Sequence, residues 1–238
     1  MNQSVTFKNV YNEIGNLIFQ LKTWKAIYCT LFLALKGVIL GLVFTSVFGL
    51  YLGLFPAHNN SFINFINGLR AIPLTLLIPF IGAIPFLAFA LYPPDVKEDS
   101  LSKEPAYLIA IGCFLYFIIG ISDGIENRKK LRQLYFTKTL NFSRFKYFKS
   151  VIFYEVLPYF LTSLRLGFIF SLVLAIVLEQ LIPYEGIGRL IVNTFSERNI
   201  GTMHAAQTVA LLFIVAVIGV LFDIIYRFIR IKIVSWEI

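Results

Sequence analysis

The chain has 238 residues, 58% of them hydrophobic and 14% charged, where soluble domains carry roughly 25% charged residues, and its mean hydropathy is +0.78. A water-soluble globular fold is excluded, and the length is better counted in membrane spans of about 20 apolar residues each. The net charge of +8 does not point to nucleic acid, because the basic residues cluster in the gaps between apolar runs, where membrane topology places them.

Residues 1–26 are mixed and polar, with Ile14, Leu17, Ile18 and Leu21 at helical spacing. This pattern predicts a short amphipathic helix lying in the interface, too short to cross. The remainder, 27–238, reads as one transmembrane domain. Its first span covers 27–54 and is long, without a small-residue cleavage site, so it is expected to be retained and not removed as a leader. Gly37, Gly41, Gly49 and Gly53 along it allow close helix contact. A polar link from Pro56 to Asn67 precedes a second span at 71–92, which Pro73, Pro79 and Pro85 are expected to bend or break.

The link 93–104 is acid-rich, with Asp95, Glu98, Asp99 and Glu104, and leads into a third span at 105–122. The stretch 123–158 then carries Arg128, Lys129, Lys130, Arg132, Lys138, Arg144, Lys146 and Lys149, and by the positive-inside rule it is cytoplasmic. It reads as two helical pieces broken at Asn141–Ser143, where Asn and Ser favour a turn and a new helix start. Phe145, Tyr147 and Phe148 make it unusually aromatic for a solvated loop. A fourth span covers 160–182 and a fifth 205–229, followed by Arg230 and Lys232. The expectation is thus an all-α integral membrane protein with five crossings. Basic segments inside place the C-terminus in the cytoplasm and the N-terminus outside, although Lys8, Lys22 and Lys25 run against that bias.

Lys36, Arg165, Glu179 and Asp223 are charged residues within spans, where charge is costly and often functional. Arg165 follows the cytoplasmic loop closely enough to snorkel. Glu179 lies 14 residues later, roughly 21 Å along a helix, so it sits near the outer end, out of reach of Arg165. It is a candidate to cap an outer gate, to contact a docked protein, or to pair structurally. Lys36 is expected to face protein or a polar cavity, and Asp223 to anchor near Arg227. Beyond Glu179, Pro183, Gly186, Gly188, Asn193, Ser196 and Asn199 suit a short outer hairpin that lines the gate, or an ordinary loop. Cys29 and Cys113 read as packing residues. The sequence carries no Ser-His-Asp set, no metal-spaced cluster and no GxxxxGK[ST] loop, so the chain is read as a non-enzyme that binds no cofactor of its own.

From about Leu69 onward the chain resembles the inner-membrane permeases of bacterial binding-protein-dependent (ABC-type) importers, nearest the sulfonate, taurine and nitrate uptake branch. Leu69-Arg70-Ala71-Ile72-Pro73 with Pro79 resembles that branch's leucine–arginine–x–x–proline signature. Ile111-Gly112 through Gly124, then Leu157-Pro158-Tyr159, Leu164-Arg165-Leu166-Gly167, Glu179 and Gly186-Ile187-Gly188 follow in family order, with Ser163 where a glycine is usual. The family's coupling hallmark, counted back from Pro158, falls on Tyr135-Phe136-Thr137 in place of Glu-Ala-Ala, on Asn141 in place of glycine, and on Phe153-Tyr154 in place of Leu-Pro. Val151 and Ile152 keep the apolar character, and Asn141 tolerates left-handed backbone as glycine does.

The resemblance implies the five-helix core of a type I importer permease, with a coupling helix in the cytoplasmic loop. Tyr135, Phe136, Thr137, Asn141, Arg144, Phe145, Tyr147, Phe148 and Val151 would form the ATPase-coupling loop. Arg70, Pro73, Pro79, Arg165, Glu179, Gly186 and Gly188 would belong to the spans and gate. It further implies ATPase subunits holding ATP and Mg, a second permease chain, identical or different, a solute-binding protein, and the bacterial inner membrane as location. The altered coupling loop keeps open the alternative of a transport-inactive scaffold or regulatory subunit.

Overall fold

A computed structural model describes residues 7–55, 59–71, 104–130, 153–181, 184–196 and 202–234, together with Lys146 and Lys149. The secondary structure of these residues is helical. In chain order the helices are α1 (Phe7–Phe19), α2 (Leu21–Leu54), α3 (Asn59–Ala71), α4 (Glu104–Lys130), α5 (Phe153–Leu181), α6 (Ile187–Ser196) and α7 (Thr202–Ile233). Four of them contain stretches long and apolar enough to cross a membrane: Leu21–Leu52, Ala106–Glu126, Phe153–Leu181 and Ala205–Ile233. These correspond to the first, third, fourth and fifth expected spans. The proline-rich second span lies outside the described residues except for its first position, Ala71.

The helices overrun the apolar runs that mark them. α4 continues to Lys130 because Glu126, Arg128 and Lys129 are good helix formers once a helix is under way. Hydropathy reports only the depth at which a helix meets water. α2 begins at Leu21, six residues before the expected start. The chain between α1 and α2 is a tight turn in which Leu17 O accepts from Gln20 N–H and Gln20 O from Thr23 N–H. Because α1 stops at Phe19, the apolar patch read as one interfacial stripe divides. Leu17 is buried, whereas Ile18 and Leu21 are exposed. The predicted polar link after the first span is also helical in part, as α3.

The chain divides into two compact units. In the first, residues 1–35 and 172–229, Leu17 of α1, Ala26 of α2, Ile187 and Ile191 of α6, and Ala210 and Leu211 of α7 form one buried cluster. In the second, residues 36–171 and 230–238, α2, α3, α4 and α5 share a core of Leu52, Ile66, Leu115, Ile118, Ile125 and Val156. Small residues let these helices approach closely. Gly37, Gly41 and Gly49 of α2 meet Ile109, Cys113 and Ile121 of α4, and Gly120 and Gly124 of α4 meet Ser163 and Val156 of α5. Cys113 is buried and donates to the Gly167 carbonyl at 3.5 Å, a packing role as expected from the sequence.

Candidate functional site

The chain reverses direction between the end of α5 and the start of α6, and Glu179 secures that reversal. Its side chain is fully buried. Oε2 accepts hydrogen bonds from the Gly188 N–H and the Thr30 hydroxyl, each at 2.9 Å. Thr30 Oγ1 accepts in turn from the Ile187 N–H at 2.9 Å. The opening N–H groups of a helix have no partner within it. Here two of them are bound by side chains from α5 and α2, so the three helices are joined at one point. The second carboxyl oxygen, Oε1, is buried and makes no hydrogen bond among the described residues.

The Gly186-Ile187-Gly188 sequence follows from this approach. A Cβ on Gly186 would strike the Glu179 carboxyl, and one on Gly188 would strike the Ile176 carbonyl oxygen of α5. Ile187 points into the first unit's core and is 1% exposed. The segment read as a hairpin or loop is therefore a ten-residue helix. Its buried Ile187 and Ile191 are four residues apart, the helical spacing of a single face. Asn193 and Ser196 had pointed to a loop, yet polar residues are accepted on the open face and in the last turn of a short helix whose other face is packed.

Beside this point, in the same unit, Lys25 Nζ lies 2.8 Å from Glu185 Oε2, with both side chains well exposed. The hydrogen bond from Lys25, and then its charge, hold the Glu185 carboxyl below the ordinary glutamate range. A depressed carboxyl contributes stability that is present above its unfolded value and lost as pH falls through the folded one. Acidification below about pH 4 is therefore expected to lower the melting temperature slightly. Glu185→Gln should remove that acid-side slope in thermal unfolding, and high salt should mimic the substitution, since exposed pairs are screened.

Of the other residues singled out from sequence, Arg165 is half-buried in α5 and Arg70 falls in α3. Pro73, Pro79, Tyr135, Phe136, Thr137, Asn141, Arg144, Phe145, Tyr147, Phe148 and Val151 lie outside the described residues. Asp223 accepts from Arg227 Nε at 3.1 Å, one helical turn away. Lys36, expected to face protein or a polar cavity, is exposed on the surface of its own chain. Sequence reasoning missed Thr30. The only signal is a hydroxyl within an apolar helix, a residue type that bonds across helices in membranes. Of the three roles expected for Glu179, its two hydrogen bonds supply a structural pairing.

The sequence matches the family of binding-protein-dependent transport system inner membrane components over residues 49–234, a range that includes Glu179, α6 and most of both units. The chain belongs to this family. It is thus the permease component of an ABC-type importer, a multi-pass protein of the inner membrane whose work implies ATPase partners. The inner membrane component is all-helical in its described residues, as read from composition. The match begins about twenty residues before Leu69, where the recognised motifs start, and so takes in the end of α2 and all of α3. No curated protein sequence matches the chain.

Proposed function

We propose that this chain forms one wall of a solute path that opens alternately to the two sides of the membrane. A separate ATPase would drive it through the 123–158 loop. The observation that carries the reading is the family match over residues 49–234, a range that extends from α2 past that loop to the end of α7. In α7, only 11% of the apolar window is buried within the chain, leaving Leu212, Phe213, Val217 and Leu221 available to lipid or to a neighbouring subunit.

The finer reading is a type I core of five spans, with the N-terminus outside and the C-terminus in the cytoplasm. A second permease chain, a solute-binding protein, and ATP and Mg held by the ATPase subunits complete the transporter. Glu179, Gly186 and Gly188 fix α6 as part of the outer gate. The branch resemblance favours a small anion or other small organic solute of the sulfonate, taurine or nitrate kind. The altered loop chemistry at Tyr135-Phe136-Thr137 favours a matched ATPase, and it also sustains the scaffold alternative.

Purification of the tagged chain in mild detergent tests the assignment, with recovery of an ATPase and a second permease as the expected result. Val151→Asp would place an unpaired charge in the docking surface. Burying a carboxylate without a partner carries a desolvation penalty of several kcal/mol, so ATPase recovery should fall by more than tenfold and uptake with it. ATPase recovery without any uptake by the wild-type complex would favour the scaffold.

A further inference from the structure

The first unit holds a polar cavity of about 140 Å³ that takes no part in the Glu179 junction. Gln20, Lys22, Thr23, Asn193, Thr194 and Gln207 supply its polar lining, from the α1–α2 turn, the first turn of α2, the last turns of α6 and the second turn of α7. Leu17 and Leu211, both in the buried cluster, form its floor. A single water needs about 10–15 Å³ of such space, so the cavity is larger than a bridging water or two would fill.

Three observations define what it suits. Among the described residues the lining contains one charged side chain, Lys22, and no carboxylate. Thr23 is 2% exposed, yet its hydroxyl is buried with no hydrogen-bond partner among the described residues, and a buried hydroxyl without a partner costs about 1–3 kcal/mol. The amides of Gln20, Asn193 and Gln207 add N–H donors, while the Thr194 hydroxyl is already engaged with Ile191 O at 2.7 Å and Thr208 at 3.1 Å. The site therefore offers one cation and several neutral donors, the complement of an oxyanion.

The cavity's level in the membrane narrows the class. Lys22 and Thr23 open the first span. Next to them Trp24 is exposed, its indole N–H donating to Ile18 O at 2.8 Å, and Phe19 and Leu21 are exposed at the end of α1 and the start of α2. Tryptophan beside apolar side chains at a span end marks the headgroup level of a bilayer. We propose that the cavity binds a phosphoryl oxyanion, carried on a phospholipid headgroup or free in solution, with Lys22 meeting its charge and the Thr23 hydroxyl donating to one of its oxygens. The site also gives Lys22 a role that its position against the charge bias of the N-terminal segment did not explain.

The test uses the full chain in neutral detergent and in nanodiscs of phosphatidylcholine with or without phosphatidylglycerol. Native mass spectrometry reads bound lipid, and thermal unfolding reads stabilisation, since a ligand that binds only the folded state raises its stability. One phospholipid retained per wild-type chain, with at least tenfold lower occupancy in Lys22→Gln and Thr23→Val, assigns the lipid source. Stabilisation by inorganic phosphate in lipid-free detergent, lost in the same variants, assigns the free anion. If Lys22→Gln does not fold, Thr23→Val decides alone. Equal binding by wild type and Thr23→Val, or no binding by either, overturns the proposal. So does a Thr23→Val chain more stable than wild type in every condition, the result for an orphan hydroxyl in an unliganded void.

Discussion

Gly188→Ala is expected to unseat α6 and abolish uptake. The added Cβ would overlap the Ile176 carbonyl oxygen, which belongs to the backbone of α5 and cannot rotate away. Moving α6 to relieve the overlap stretches the Gly188 N–H bond to Glu179 and the Ile187 N–H bond to Thr30 together. Overpacking costs typically 1–3 kcal/mol, and each buried polar group left unpaired costs about 1–3 kcal/mol more. The sum is comparable to much of a protein's net stability. Thermal unfolding in detergent should show a large loss, with protein recovery falling alongside. Thr30→Val removes only the bridging hydroxyl and should cost less, about 1–3 kcal/mol. A Gly188→Ala chain as stable as wild type would mean that α6 is not held by this junction.

The second large effect concerns α4 and α5. Gly120→Ala would drive its Cβ into Ser163, with the Tyr159 carbonyl oxygen 2.9 Å away. Ser163 has little room to yield, being buried and donating to Phe160 O at 2.8 Å. A loss of about 1–3 kcal/mol is expected. Ser163→Gly alone should be nearly neutral, yet combined with Gly120→Ala it should recover most of the loss, because the two sites share one contact and their effects cannot add. The rescue is expected to stay incomplete, since Tyr159 O remains close. A double-mutant cycle by thermal unfolding measures this coupling directly, and strict additivity would refute it.

The Gly120–Ser163 pair shows where sequence reading succeeded and where it stopped. Spans were legible because about twenty apolar residues in a row satisfy a requirement the bilayer imposes locally. Ser163 stood out only as a replacement for a usual glycine. That it faces Gly120, some forty residues earlier, is a fact of helix register that hydropathy does not encode. α6 was hidden for a related reason. Its short length and the glycines at its start, Gly186 and Gly188, resemble a loop until Glu179 and Thr30 are seen to satisfy its opening amides, and Thr30 is 149 residues from Glu179 in the chain. The boundary of α1 was obscured because Leu21 continued the apolar spacing across a turn that only its hydrogen bonds reveal.

Two fasteners close the same turn, and they respond differently to the surrounding solution. The Lys25–Glu185 pair is exposed, so dissolved ions compete for both of its members. The Glu179 carboxyl is met by a hydroxyl and a backbone amide, out of contact with water, so no counter-ion can replace its partners. The entry to α6 is thereby insulated from the ionic strength of the solution around it. A change of salt on that side of the membrane would loosen the outer fastener and leave the inner one in place.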